Sequence, residues 1–180
     1  MSQRTDGPDA AAGAARAGTW KLDSSTADIR FTARELWQSF RFSGRFPRAR
    51  GSIVWGEDKT GAVLMELHAA GISTGLRARD NRLCAPGFLD VANHPLITFR
   101  GNAIRPNPAR LEIVGKLVVR DIATALDLDV DLAPAGNRIA AATTARIDLS
   151  AYDFAEPHGM LHLHADLLIS GSFIPLRRQI

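Results

Sequence analysis

The sequence predicts an all-β fold, a closed antiparallel barrel of about eight strands with a short helix at one end. Three observations predict it. From Trp20 onward the dominant hydrophobic period is two, the period of half-buried strands. Turn-forming residues separate the alternating stretches at short intervals. A chain with many one-sided apolar strands must also bury those faces, and a closed barrel does so without leaving an exposed edge.

The clearest strand is Ala125 to Leu132. Leu126, Leu128, Val130 and Leu132 fall on one face, with Asp127, Asp129 and Asp131 on the other. A helix would scatter these leucines around its circumference. The pattern recurs in Asp28 to Arg34, where Ile29, Phe31 and Ala33 alternate with polar residues, and in Val63 to Ala69, where Val63, Met65 and Leu67 oppose Glu66 and His68. Leu111, Ile113, Gly115, Leu117 and Val119 share a face, as do the alternate residues from Ile139 to Leu149. In the last strand Leu161, Leu163, Leu167 and Ile169 oppose His162, His164 and Asp166. Hairpin loops are expected at 57–61, 105–109 and 134–137, where proline and glycine interrupt no ladder. Ser73 or Thr74 is placed to cap a short helix that brings Leu76, Asp80 and Leu83 close to one face.

The 180 residues suit one domain, with 1–18 read as a disordered tail and 19–180 as the barrel. No apolar run reaches the roughly 18 residues of a membrane-spanning helix. The first 18 residues lack leucine and are broken by Gly13 and Arg16, too weakly apolar for a secretory signal. With a single cysteine, Cys84, no intrachain disulfide forms. These features lead to a cytoplasmic expectation.

A net charge of +3 invites a nucleic-acid reading, since Arg41, Arg45, Arg48 and Arg50 interleave with Phe40, Phe42 and Phe46. The plainer account is a strand with aromatics inward and arginines outward, and no recognition motif accompanies the cluster. Trp37, Phe40, Phe42 and Phe46 line the barrel mouth or belong to the core, two readings left equal. His162 and His164, with His68 or His158, have the residue types of a zinc site but sit on the outward face, so no metal is expected. Cys84 lacks a nearby base except His94. No serine elbow, phosphate loop or cysteine zinc motif is present, and neither catalytic residues nor a cofactor is expected.

A barrel of about eight strands is either filled by its side chains or holds one small ligand. Small inward residues (Ala33, Ala69, Gly101, Gly115, Ala141, Ala145) favour space, unless Phe31, Phe99 and the leucines fill it. At about 0.8 kcal/mol per buried methylene, a chain of roughly 20 carbons exceeds the ~8 kcal/mol of micromolar affinity even after association costs.

Several stretches together resemble the YceI-like family. They are Trp20-Lys21-Leu22-Asp23, Gly44-Arg45-Phe46, Ile72-Ser73-Thr74, Arg79-Asp80-Asn81-Arg82-Leu83, the run Pro86 to Phe99 with Asn93-His94-Pro95, and Val114 to Val119. The chain departs from the family pattern at Arg82, His94 and Asp121, where a histidine, an aromatic and a glycine are usual. The resemblance implies a lipocalin-like barrel that binds an isoprenoid, a polyprenyl quinone or another lipid in its lumen, without catalysis. The ligand-lining set is then Ile29, Phe31, Phe40, Phe42, Met65, Leu67, Phe99, Leu117, Val119, Leu126, Leu128, Val130, Leu167 and Ile169. The expected partner is that lipid-like molecule, with no nucleic acid and no membrane span, and a homodimer is left open. Two alternatives stand beside it: an enzyme acting on the apolar ligand through Asp80 or His94, and a solid barrel that binds a partner protein.

Overall fold

The computed structural model describes residues 17–35, 40–58, 60–107, 110–154 and 164–176. Its strands are β1 (Gly18–Leu22), β2 (Asp28–Glu35), β3 (Phe40–Arg45), β4 (Ala49–Trp55), β5 (Thr60–His68), β6 (Leu96–Asn107), β7 (Arg110–Val119), β8 (Ile122–Ala135), β9 (Arg138–Asp148) and β10 (His164–Pro175). A helix, α1 (Arg77–Cys84), and two 3-10 turns, Ala69–Gly71 and Leu149–Tyr152, complete the described elements. The ring runs β1-β4-β5-β6-β7-β8-β9-β10 and back to β1, every neighbour antiparallel, so eight strands close the barrel.

The remaining two strands extend this ring. One edge of β10 pairs first with β2, from Ala165↔Ala33 to Ser170↔Asp28, and then with β1, from Leu22↔Phe173 to Trp20↔Pro175. Thus β1 and β2 act as one strand interrupted at 23–27, and β3 and β4 form its bent partner. The interruption satisfies its own polar groups, as buried or strand-edge backbone must. Asp23 N–H donates to Ser172 O at 2.9 Å, and Ser172 N–H donates to Thr26 Oγ1 at 2.9 Å. The Arg138 guanidinium pairs with the Asp23 carboxylate.

Burial follows the period of two. In β7, Leu111, Ile113, Leu117 and Val119 are buried while Glu112, Val114 and Lys116 are exposed. In β8, Leu128 and Val130 are buried and the three aspartates face solvent. Arg41 and Arg45 are likewise exposed on β3, with Phe42 partly buried between them. In the ring, β4 and β8 stand four strands apart in either direction, so Arg45, Arg48 and Arg50 lie across the barrel from Asp127, Asp129 and Asp131.

Several expectations are corrected. Gly18 already belongs to β1; the rest of the expected tail, 1–16, lies outside the described residues apart from Ala17. Pro134 sits within β8, paired with Ile139, and Pro106 lies within β6. Both are near strand ends, where a missing N–H costs little. The N-cap of α1 is Leu76, with no side-chain cap bond. Thr74 instead donates its N–H and hydroxyl to Asp80 Oδ1, at 2.8 and 2.6 Å, so the helix ties down the loop before it. Ser73 exchanges both backbone bonds with Arg45, which fastens this segment to β3. The β7–β8 hairpin turns on Arg120 (φ 50°) and Asp121 (φ 65°), both left-handed, as a tight two-residue hairpin requires. Asp is among the non-glycine residues that tolerate that region.

Glycines in the sheet accept aromatic rings. Gly115 lies opposite Gly101, and a Cβ placed on Gly115 would meet Phe99 Cζ at 2.5 Å and Arg100 O at 2.8 Å. A Cβ on Gly44 would meet Phe31 Cζ at 2.5 Å. The space freed by these glycines is therefore occupied. Gly115→Ala is expected to destabilise the fold by about 1–3 kcal/mol through overpacking, read from urea denaturation. A midpoint unchanged from wild type would show that the ring moves aside freely.

Candidate ligand-binding cavity

The inward rows of the strands converge on one apolar cavity. β5 contributes Val63, Met65 and Leu67; β6 contributes Ile97 and Phe99; β7 contributes Leu111, Ile113 and Leu117. β8 lines it along Leu126, Leu128, Val130 and Leu132, and β10 along Leu167, Ile169 and Phe173. Leu22, Ile29 and Ile53 close the wall from β1, β2 and β4, and Ala141 and Thr143 from β9. The empty space between these walls, including the part open to solvent, is about 940 Å³, many times the ~30 Å³ that one water occupies in the liquid. The lumen is thus not filled by its own side chains.

Among the described residues, no ionisable one lines the cavity. Thr143, buried in the wall, spends its hydroxyl on Asp129 O at 2.7 Å. A space with so few polar partners holds water poorly, and apolar surface placed there gains about 25 cal/mol per Å² removed from water. Chemically the arrangement can bury a hydrocarbon chain and orient it only weakly.

Of the fourteen residues expected to face a ligand, ten line this cavity: Ile29, Met65, Leu67, Phe99, Leu117, Leu126, Leu128, Val130, Leu167 and Ile169. Phe31, Phe42 and Val119 are placed elsewhere. The Phe31 ring lies 6.0 Å from Phe42, edge-on, and 5.7 Å from Phe46, and the Arg79 guanidinium covers Phe42 at 4.8 Å. This cluster packs the end of the barrel beside α1, with Phe46 buried and Phe42 partly buried. Val119 is buried at the β7–β8 hairpin. The Phe40 side chain, Trp37, His158 and His162 lie outside the described residues. Leu111, Ile113, Val63 and Leu132 were legible as inward residues. Leu22 and Ile53 were not, because β1 and β4 are too short to show a clean alternation, and Phe173 was not, because Ser170-Gly171-Ser172 interrupts the apolar row of β10.

The groups considered for chemistry sit apart from the lumen. Asp80 is engaged by Thr74. His94 Nδ1 is 3.3 Å from Asp121 and its Nε2 3.9 Å from Asp90, whose carboxylate also accepts from Asn93 Nδ2 at 3.0 Å. None of these residues lines the cavity. Burial pushes the Cys84 thiol above its ordinary range, and the nearby Asp80 charge pushes the same way. Because the thiolate is the reactive form, Cys84 is expected to alkylate with iodoacetamide at pH 8 several-fold slower than a free cysteine. A rate equal to or above that of the free thiol would contradict the burial argument.

Comparison with known proteins bears on the fold and its lineage. A family model described as the YceI-like domain matches residues 20–172. UPF0312 proteins of Pectobacterium carotovorum and Pectobacterium atrosepticum are each 27% identical over 132 residues, covering 71% of this chain and 68% of theirs. Among solved structures, BcnA of Burkholderia cenocepacia superposes with a TM-score of 0.73 at 14% identity, over 84% of this chain and 98% of its own. A domain from Saccharophagus degradans, described as polyisoprenoid binding and implicated in plant cell wall breakdown, gives 0.68 at 11% identity, over 87% and 98%. The YCEI protein of Campylobacter jejuni gives 0.61 at 16%, over 77% and 88%. With the family model matched from β1 into β10, the chain belongs to the YceI-like family.

Proposed function

We propose that this protein holds a long apolar molecule of the isoprenoid class, such as a polyprenyl quinone or a lipid with a similar chain, inside its barrel, and that it sequesters or carries that molecule without reacting it. The carrying observation is the cavity itself, walled mainly by apolar side chains from nine strands, with no ionisable group among the described residues that line it. The polyisoprenoid-binding description of the Saccharophagus neighbour supports the choice of ligand class. A chain of roughly ten buried methylenes gains about 8 kcal/mol gross, so a longer isoprenoid tail has surplus against the cost of association. A cytoplasmic site of action belongs to the same proposal, supported by the single cysteine, Cys84; cell fractionation tests it.

Native mass spectrometry of gently purified protein, with organic extraction of any adduct, is the test. A stoichiometric apolar adduct, or uptake of added polyprenyl quinone, is the expected result. An apo mass with no uptake would sink the reading. Filling the lumen gives a second check: Ala141→Phe, on the cavity wall, is expected to weaken quinone binding at least tenfold while leaving the near-ultraviolet circular dichroism unchanged. Undiminished binding with the fold intact would move the ligand out of the lumen.

A further inference from the structure

The ladder between β8 and β9 stops partway. It runs from Ala135↔Arg138 to Asp131↔Ala142 and no further. Yet β8 continues to pair with β7 down to Ile122↔Val119, and β9 continues to pair with β10 down to Asp148↔His164. Both strands are extended below Asp131, and among the described residues they share no ladder there.

Two side-chain hydrogen bonds bracket the parting. At its upper end Thr143 Oγ1 donates to Asp129 O at 2.7 Å, doing for one residue what a backbone N–H does higher up. At its lower end Thr124 is hydrogen-bonded to the Tyr152 hydroxyl, on a fully buried residue that follows β9. Between these clasps the inward side chains Leu126, Ala145 and Ile147 are only partly buried. On the β7 side the inward residues at similar heights, Leu117 and Phe99, are each 7% exposed, while on the β10 side Leu167, opposite Ala145, is partly buried like its neighbours. Asp129 aims its carbonyl at β9, so by the two-residue repeat of a strand Asp127 and Ala125 aim their backbone groups the same way. Ala125, Asp127, Thr144 and Arg146 along the gap are exposed, so solvent reaches its rim.

The gap leads inward to the cavity, since Leu126 and Leu128 on one bank and Thr143 on the other line it. Outside, exposed Asp127 and Asp129 flank the upper part of the gap opposite Arg146, which pairs with Asp166, while lower down the bank is short and uncharged at Ala123 and Ala125, and Leu168, opposite the uncharged Thr144, is 47% exposed. We propose that the β8–β9 parting is a lateral portal through which an apolar chain passes between the surface and the lumen, with Thr143 as its upper latch. The inference rests on the apolar-ligand reading above. Sideways passage needs only that two already unladdered strands spread, a low-cost local opening compared with breaking a continuous ladder.

The test uses full-length protein in a Cys84→Ser background. Asp127→Cys and Arg146→Cys, which the extended register sets opposite each other, are joined by a short bis-maleimide. The control joins Arg146→Cys to Asp166→Cys across the intact β9–β10 ladder. Ubiquinone-10 is offered from phosphatidylcholine vesicles and its uptake and release are timed by extraction. The seam-linked protein is expected to exchange quinone at least tenfold more slowly than the control, and protein loaded before linking is expected to keep its quinone. Thr143→Val is expected to release quinone several-fold faster than wild type. Equal exchange rates in seam-linked and control protein would overturn the portal while leaving lumen binding intact. Unlinked protein that takes up no quinone would overturn the apolar-ligand reading, and the portal with it.

Discussion

Every long strand of this chain buries one side-chain row and wets the other, and the architecture answers to that constraint. A flat sheet of such strands would expose its apolar face and two edges. Closure removes both problems, and β10 provides it. With β9 along one edge, β10 divides its other edge between β2 and β1. The loop at 23–27 lets β1 and β2 take this divided role, which is why Ser172, facing the loop, bonds to Asp23 and Thr26 and not to a strand.

Much of the barrel was legible in the sequence because alternation survives wherever a strand is long. β7, β8 and β9 could be read residue by residue, and the ten expected residues that line the cavity came from β2, β5, β6, β7, β8 and β10. The failures have physical reasons. Phe31 and Phe42 have the parity of lumen residues, but β2 and β3 run past the cavity to the α1 end, where their rings meet Phe46 and Arg79. Period tells which face a residue occupies and nothing of its height along the axis. The α1 cap was misread for a related reason: Thr74 has the right chemistry, but its partner is the Asp80 side chain and not a helix N–H. The β8–β9 parting left no trace in the pattern, because side-chain alternation is the same whether or not a neighbour completes the ladder.

The empty lumen also shows how small residues act in such a barrel. Gly115 and Gly44 do not create the space; Phe99 and Phe31 occupy the notches they leave. What stays open is the central volume between aliphatic rows, where leucine and isoleucine from opposite walls do not meet. The wall is stiffened by rings set against bare backbone, and the void is held by it.

The placement of charge around the ring has a further effect. Arginines on the β3–β4 side and aspartates on β8 stand four strands apart, so two walls carrying opposite charges face away from each other across the barrel. In the field of a negatively charged surface such a body feels a torque that turns the β3–β4 wall toward the charge and the acidic wall away. The torque acts only within the screening distance, about 8–10 Å at physiological ionic strength. Any heading that this separation of charge gives the barrel is therefore taken only within that distance of an anionic surface.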